Sequence, residues 1–233
     1  MLTLLTGKTG AGKSFQAVKT IFEQLEKGDK IYTNIEITVD DPNYIYMDEL
    51  NVKLFLQYID KTFKDVTNLE EKKNEVKNSA YFNGNFFIDE AHLVGFRDKK
   101  ESILNWLTLH RHFNQNVYVI TQIASNIHRD YLALFHQHID MIPPNKRLSK
   151  SSLGYRLFDS YKGERLKTNY FKPNLEIFEL YNSGNVEVGF NQNVIKLAVA
   201  MLVLIGLATA FYFSSTTLAT SISTPKSLDN NIS

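Results

Sequence analysis

The chain has 233 residues, with 26 Lys and Arg against 25 Asp and Glu, and no cysteine. The lack of cysteine excludes a disulfide scaffold, a zinc ribbon, an iron–sulfur cluster and a thiol nucleophile. A formal net charge of +1 argues against a globally basic nucleic-acid coat and leaves room for a local basic patch. The length suits one or two domains, and one α/β domain of about 200 residues is the simplest expectation.

The amino end of the chain predicts a strand, a glycine-rich loop and a helix. Residues 1–6 form a short run typical of a strand, and apolar residues recur at helical spacing after residue 14. The loop between them consists of Gly7, Lys8, Thr9, Gly10, Ala11, Gly12, Lys13 and Ser14. This G-x-x-x-x-G-K-[ST] pattern, between a strand and a helix, is typical of a phosphate-binding loop.

A phosphate loop binds a nucleotide largely through its backbone. Its glycines let N–H groups curl around phosphate oxygens, and the positive end of the following helix dipole adds to the attraction. Lys13 is predicted to reach the β- and γ-phosphates of ATP, and the Ser14 hydroxyl is predicted to bind Mg²⁺. A glycine turn without a ligand is the alternative, but a chance match to the whole pattern is rare.

Two acidic residues follow the apolar run Asn85–Ile88, which is predicted to be a strand. Asp89, at the tip of such a strand beside a phosphate loop, is predicted to hold Mg²⁺ through a bound water. Glu90 is predicted to polarise the attacking water, because a low local dielectric makes a carboxylate a better base. Two solvated acids at a strand end are common, and the phosphate loop favours the catalytic interpretation here.

A further strand end is predicted after the apolar run Val117–Ile120. Ligands of open α/β sheets bind at the carboxyl ends of the strands. Gln122, at that position, is therefore predicted to bridge the attacking water and the γ-phosphate. A surface glutamine that begins a loop is the alternative interpretation.

The helical segment from residue 101 to residue 113 carries a candidate arginine finger. Arg111 is predicted to reach a γ-phosphate, either in its own site or in that of a neighbouring subunit. Arg97 and Arg129 are rival candidates. A solvated or ion-paired arginine is the alternative interpretation for all three.

The remaining elements before residue 143 indicate the fold class. Lys30–Ile37 is predicted to be the second strand, residues 51–78 are predicted to be helical, and His138–Ile142 is a further strand candidate. Strands and helices therefore alternate after an opening phosphate loop. This order predicts an α/β fold, a P-loop NTPase domain over residues 1–193 with a mostly parallel sheet flanked by helices.

A small β-rich addition is predicted within residues 143–193. Polar and apolar residues alternate at Tyr155–Tyr161 and Leu175–Tyr181, which predicts two antiparallel strands. Basic and aromatic residues are interleaved between residues 146 and 172. They favour three interpretations: structural hairpins, a platform for single-stranded DNA, or a surface attracted to anionic lipid.

Residues 194–213 are predicted to form one transmembrane helix. Residues 197–213 carry no charge and no proline, and a helix that crosses a bilayer needs about 20 apolar residues. A buried core helix is the alternative. Basic residues are frequent before this segment, whereas Lys226 alone is basic after it. Residues 1–193 are therefore expected to be cytoplasmic, and residues 214–233 to form a short flexible external tail.

Four segments together resemble the zonula occludens toxin (Zot) family, which includes the assembly ATPase of filamentous phages. They are Gly7–Ser14, Thr33–Ile35, Phe86–Glu90 and His110–Gln122. Phosphate loops and acidic strand ends occur in many ATPases. The HRH run that leads to a terminal Thr-Gln is specific to this family, and the resemblance covers the chain to about residue 180.

The resemblance implies an ATPase of the host inner membrane with a single membrane span. It implies that ATP hydrolysis drives the extrusion of single-stranded phage DNA while coat subunits replace the DNA-binding protein around it. It also implies ATP and Mg²⁺ as ligands, a homo-oligomeric ring such as a hexamer, and contacts with phage coat and assembly proteins. By motif position, Lys13 and Ser14 bind nucleotide, and Asp89, Glu90 and Gln122 are catalytic.

One departure from the family concerns the segment after the predicted span. Family members often carry a larger external domain, whereas residues 214–233 alone follow the span here. The resemblance therefore leaves open both toxin activity and docking of this chain to an outer-membrane channel. A host without an outer membrane, or a separate partner chain, would fit the short tail.

Other classes of nucleotide-binding protein share parts of these motifs. Residues 89–92 spell DEAH, but helicases with that motif bind ATP between two RecA-like domains, which take roughly 300 residues. One such domain fits before residue 194, so a hexameric DNA translocase is the alternative of this kind. A membrane scaffold that binds nucleotide without turnover is disfavoured by Glu90. The guanine-reading motif N-K-x-D is also absent, since its nearest match at residues 145–148 ends in leucine.

Overall fold

The computed structural model describes residues 1–147, 149, 151–181 and 199–209. The chain divides into two compact units, Met1–Gly189 and Phe190–Ser233. The first unit contains the phosphate loop, the acidic strand end and Gln122. One sheet runs through the described part of this unit.

Eight strands form this sheet: β1 (Leu2–Thr6), β2 (Lys30–Thr33), β3 (Tyr44–Tyr46), β4 (Gly84–Ile88), β5 (Asn116–Thr121), β6 (Gln137–Met141), β7 (Leu153–Phe158) and β8 (Arg165–Phe171). They lie in the order β3-β2-β4-β5-β1-β6-β7-β8. The pairs among β1 to β6 are parallel, and β7 and β8 extend the sheet as an antiparallel hairpin. The predicted α/β fold with a mostly parallel sheet is confirmed.

Helices cover both faces of the central strands. The α-helices are α1 (Lys13–Leu25), α2 (Glu49–Phe63), α3 (Leu69–Lys77), α4 (Glu101–Leu109), α5 (Arg129–Leu132) and α6 (Leu175–Glu179). Phe87 of β4 lies in the core cluster formed with α1. Its neighbour Phe86 faces α2 and α4, with ring centroids 5.0 Å from Phe55 and 5.5 Å from Trp106. Because both faces are covered, every residue of β1 and β4 is buried, as in parallel sheets generally.

The order of strands brings three strand ends together. β5 lies between β1 and β4, and Thr6 is paired with Thr121 in the register of β1 and β5. Because the three strands are parallel, their carboxyl ends meet at one edge of the sheet. The phosphate loop, the Asp89–Glu90 pair and Gln122 follow those ends, so they share that edge.

The prediction of a strand at Leu175–Tyr181 is wrong, because the segment begins with the helix α6. The Asn174 side chain caps this helix by accepting a hydrogen bond from the Glu176 N–H at 3.1 Å. The Phe178 ring lies 4.8 Å from the Phe15 ring of α1. The apolar residues that alternate along the segment also fit one helical turn against α1, and this packing decides the structure.

Other differences concern strands and helix boundaries that carry weak sequence signals. The side chains of β8 are exposed along nearly its whole length, so no apolar alternation marks it, and β3 has three residues. Residues 51–78 form two helices rather than one. The second begins where the Asn68 side chain accepts hydrogen bonds from the N–H groups of Glu70 and Glu71.

The predicted transmembrane segment, residues 194–213, lies partly outside the described residues of the second unit. Residues 199–209 are helical, with exposed apolar side chains. Residues 194–198 and 210–213, and the predicted tail at 214–233, are outside the described part of the chain. Among the described residues, no helix has the length and apolar character that crossing a membrane requires.

We expect the buried imidazole of His110 to make folding sensitive to acid. The side chain is 1% exposed, and its Nδ1–H donates to the Leu107 carbonyl oxygen at 2.6 Å. Burial lowers the pKa of His110 from 6.5 to about 4. The unfolded chain therefore binds this proton more readily, and the free energy of unfolding falls as the pH drops from about 6.5 towards 4. Between pH 7 and pH 5 this residue accounts for a loss of about 2 kcal/mol.

Urea denaturation at pH 7 and pH 5 measures this loss. His110→Gln should remove it, whereas the exposed neighbour His112→Gln should keep the pH dependence of the wild type. Equal pH dependence in the wild type and His110→Gln would contradict the assignment.

Candidate active site

The phosphate loop connects β1 to α1 in a conformation that requires glycine. Gly12 has φ +91°, in the left-handed region, and a Cβ atom there would lie 2.9 Å from Leu153 Cδ2. A Cβ atom at Gly7 would lie 2.7 Å from Met141 Cβ. Backbone geometry and close packing therefore both exclude larger residues, which fits a loop that presents its backbone to a ligand.

Lys13 is the first residue of α1 and is 9% exposed. Burial lowers the pKa of Lys13, and the nearby carboxylates of Asp89 and Glu90 oppose this shift. The ammonium group therefore interacts electrostatically with the acidic strand end. This position suits a cation that neutralises phosphate charge beside the predicted magnesium ligand.

Asp89 is held by a side chain from the neighbouring strand. Asn34 follows β2, accepts a hydrogen bond from the Asp89 N–H at 2.7 Å and donates one to the Asp89 carbonyl oxygen at 2.9 Å. Burial raises the pKa of Asp89, and the charge of Lys13 acts against this shift. Asn34 was not among the predicted site residues. The signal that points to it is its position at the carboxyl end of a strand adjacent to β4.

Glu90 and Gln122 lie in contact at the phosphate loop. Gln122 Nε2 donates to Glu90 Oε1 at 3.2 Å, and the Thr9 hydroxyl donates to Gln122 Oε1 at 3.4 Å. Glu90 has φ +44°, a left-handed conformation that costs energy for a residue with a side chain. The prediction that strand-end residues converge here agrees with this geometry.

The second carboxylate oxygen of Glu90 has capacity to accept a hydrogen bond. Glu90 Oε2 is buried and has no hydrogen-bond partner among the described residues. His92 Nδ1 lies 3.4 Å from it and 3.4 Å from the Thr121 hydroxyl. An acceptor of this kind suits a nucleophilic water. His92, which the DEAH run contains, is a further residue of the site that motif reasoning did not assign.

The residues present fit Mg²⁺ as a partner of bound phosphate. The described part of the chain contains no group of three or more His, Cys, Asp or Glu able to hold a metal ion by itself. Ser14 and Asp89 are the residues that would hold Mg²⁺, which keeps several waters and phosphate oxygens among its ligands. When bound, the ion supplies positive charge that offsets charge developing on the phosphates.

Arg111 lies at the opposite edge of the sheet. It belongs to a 3₁₀ turn, His110–Phe113, that leads into the amino end of β5, whereas the phosphate loop lies at the carboxyl edge. There, burial and the positive charge of Arg111 lower the pKa of the Met1 amino group. The prediction that Arg111 reaches the γ-phosphate of its own site is therefore wrong. Contact with a neighbouring subunit's site stays a prediction.

The rival arginines line a surface groove of about 700 Å³. Its basic and aromatic side chains are Arg97, His128, Arg129, Tyr161 and Lys162, and none of its lining residues is acidic. The Lys162 ammonium lies 5.5 Å from the centre of the Tyr161 ring. The groove is therefore a cationic surface with an aromatic side chain.

Comparison with protein families identifies the chain. The profile of the family described as Zonular occludens toxin (Zot) matches residues 1–187. The chain belongs to the Zot family. The resemblance seen in the sequence motifs is thereby confirmed. A comparison with curated proteins finds no match for this Zot-family protein.

Solved structures show the same fold. The N-terminal domain of zonular occludens toxin from Neisseria meningitidis matches with a TM-score of 0.53 and 17% identity, covering 78% of this chain and 98% of that one. The genome packaging NTPase B204 from Sulfolobus turreted icosahedral virus 2, in complex with sulfate, matches with a TM-score of 0.51 and 16% identity. That match covers 74% of this chain and 96% of the other. The Zot-family protein therefore has the fold of a P-loop NTPase.

Proposed function

We propose that this Zot-family protein is a Mg²⁺-dependent ATPase, anchored in the host inner membrane, that powers the assembly and extrusion of filamentous phage. The observation that carries the proposal is the contact of Glu90 with Gln122, and of Gln122 with Thr9 of the phosphate loop. A loop that binds nucleotide without turnover has no need for a carboxylate held in this place.

The arrangement supports hydrolysis by general-base catalysis. The Glu90 carboxylate accepts a proton from the attacking water, whose oxygen bonds to the γ-phosphorus while the bond to the β-phosphate oxygen breaks. Gln122 orients Glu90 and the water from the adjacent strand end. The Lys13 ammonium offsets the negative charge of the phosphates during this reaction, and the products are ADP and inorganic phosphate.

Two further features support export as the work done by hydrolysis. Membership of the Zot family supports extrusion of single-stranded DNA with replacement of its binding protein by coat subunits. The uncharged run at residues 197–213 supports an anchor after the NTPase domain, with residues 1–193 on the cytoplasmic side. A homo-oligomeric ring that contacts coat and assembly proteins is part of the same proposal.

Release of phage particles tests the proposed function. A phage genome without this chain is complemented with the wild type, with Glu90→Gln or with the exposed control Glu71→Gln. We expect Glu90→Gln to lower particle release by about 100-fold or more, because a general base typically contributes that much to the rate. The Glu71→Gln control should match the wild type. Release that does not depend on Glu90 would exclude a motor driven by this site.

The second candidate function is a translocase that moves DNA through a ring. The fold that this chain shares with a genome packaging NTPase is the observation that supports this candidate. The two candidates differ in what ATP hydrolysis moves. Unwinding or movement of duplex DNA by the purified protein, without coat subunits, would support the translocase.

The cationic groove is the described surface that best suits a polynucleotide in either case. Arg97, Arg129 and Lys162 supply three positive charges from separate segments, and Tyr161 supplies a ring on which a base can stack. The Arg129 side chain is 92% exposed, and its Nε lies 3.5 Å from Asp130 Oδ1, so a bound phosphate would share this guanidinium with that carboxylate. We therefore place the contact with single-stranded DNA at this groove.

Charge reversal tests the groove. Arg129→Glu combined with Lys162→Glu should weaken binding of single-stranded DNA by about 10- to 100-fold at low salt, and should lower the slope of log Kd against log salt concentration by about 1.4. The control is Lys27→Glu combined with Lys64→Glu, which changes the net charge equally at exposed positions elsewhere. Fluorescence anisotropy with a labelled oligonucleotide measures both. Equal loss in the two double variants would show that overall charge, and not the groove, binds DNA.

A further inference from the structure

Arg147 is a buried arginine that contacts the phosphate loop from outside it. It lies in the connector, residues 142–152, which joins β6 to β7, and its side chain is 3% exposed. Nε donates to the Ile142 carbonyl oxygen at 2.8 Å, and one terminal nitrogen donates to the Ser152 carbonyl oxygen at 3.0 Å. The other terminal nitrogen donates to the Ala11 carbonyl oxygen at 2.7 Å.

This burial corrects one interpretation of the sequence. Lys146 and Arg147 were both included in an exposed basic surface for DNA or lipid. Lys146 is exposed, whereas the Arg147 guanidinium is enclosed by backbone carbonyl groups. A guanidinium presents its donors in a fixed plane, so one arginine can bind three carbonyl oxygens at once. A lysine ammonium has a single nitrogen and is less suited to this arrangement.

The phosphate loop and the segment around the connector are packed together at two more points. The site of a Cβ atom at Gly7 lies 2.7 Å from Met141 Cβ, directly before the connector. The site of a Cβ atom at Gly12 lies 2.9 Å from Leu153 Cδ2, directly after it. Met141 and Leu153, the two residues that flank the connector, therefore pack against the start and the end of the loop.

The bond to Ala11 fixes the direction of a backbone donor. The Ala11 carbonyl and the Gly12 N–H belong to one planar trans peptide unit, in which the two groups point in opposite directions. A guanidinium that holds the carbonyl therefore directs the Gly12 N–H away from the connector. Phosphate loops bind anions through N–H groups fixed in this manner.

We propose that Arg147 is a positioning residue that holds the Ala11–Gly12 peptide in the orientation that binds phosphate, and so couples the connector to nucleotide binding. This inference rests on the proposed binding of ATP. It gives the connector, which follows the last parallel strand, a role in the nucleotide site. Nucleotide binding should in turn stabilise the connector, because coupling between two sites is reciprocal.

Nucleotide affinity and steady-state kinetics of the full chain in detergent micelles test the inference. Arg147→Lys keeps the charge and loses the planar set of donors, so we expect Kd for a fluorescent ATP analogue and KM to rise about tenfold, with kcat changed less than about threefold. Ethylguanidine added to Arg147→Ala should restore part of the affinity. The control Arg165→Lys, at an exposed position on β8, should bind like the wild type.

Hydrogen exchange of the wild type provides a test that does not depend on the folding of a variant. A non-hydrolysable ATP analogue should slow exchange in residues 7–14 and also in residues 142–153. Protection of the loop alone, or unchanged affinity in Arg147→Lys, would overturn the inference and leave the ATPase intact. Failure of the wild type to bind the analogue would instead overturn the proposed function.

Discussion

Glu90→Gln is expected to lower steady-state ATP hydrolysis by at least about 100-fold while ATP binding stays within about twofold of the wild type. Glutamine has the shape of glutamate, and its amide oxygen can still accept the hydrogen bond from Gln122. What it lacks is the ability to take a proton from water. Phosphate release measures turnover, and equilibrium binding of a fluorescent ATP analogue measures affinity.

Glu71→Gln is the matched control for this experiment, because Glu71 is exposed on α3 and lies outside the site. It should hydrolyse ATP at the rate of the wild type. If Glu90→Gln also turned over ATP at that rate, Glu90 would not be the general base. If the wild type bound ATP without turnover, the protein would be a scaffold and not a motor.

Lys13→Ala is expected to weaken ATP binding by about 100-fold or more and to abolish measurable hydrolysis at ordinary ATP concentrations. The Lys13 ammonium lies near the carboxylates of Asp89 and Glu90. Without it, phosphate oxygens lie near two negative groups and lose the neutralising charge of the ammonium. Loss of charge-assisted hydrogen bonds to phosphate, at about 1.5–3 kcal/mol each, accounts for the size of the effect.

Titration calorimetry with the ATP analogue measures this loss. Lys19→Ala is the control, since Lys19 lies in the same helix and forms an exposed ion pair with Glu23. The two variants of the site should differ in kind, because Lys13→Ala loses affinity and Glu90→Gln loses turnover. ATP affinity unchanged in Lys13→Ala would contradict the assignment of residues 7–14 as the nucleotide site.

The parts of the site that local spacing encodes were predictable from the sequence. The phosphate loop is contiguous, and Asp89 and Glu90 directly follow a recognisable apolar strand. Gln122 was predicted from a general property of parallel sheets, the meeting of strand ends at one edge. Its contact with Glu90 and Thr9 follows from the position of β5 beside β1.

Features that depend on contacts between distant parts of the chain were not predictable in the same way. The position of Arg111 depends on the turn after α4, which brings the chain back to the amino edge of the sheet before β5. The burial of Arg147 and the helical form of residues 175–179 depend on contacts with the phosphate loop and with α1. No local pattern of residues specifies such long-range contacts.

The last strand of the sheet limits how copies of this protein can associate. In the described part of the chain, β8 is hydrogen-bonded along one side, to β7, and its side chains are mostly exposed. Such a border can recruit a strand from another molecule and seed aggregation. Arg165 and Lys167 disfavour such pairing, because the same edge strand of a second copy would place positive charges next to these two residues. Association of two copies through pairing of their β8 strands is therefore disfavoured.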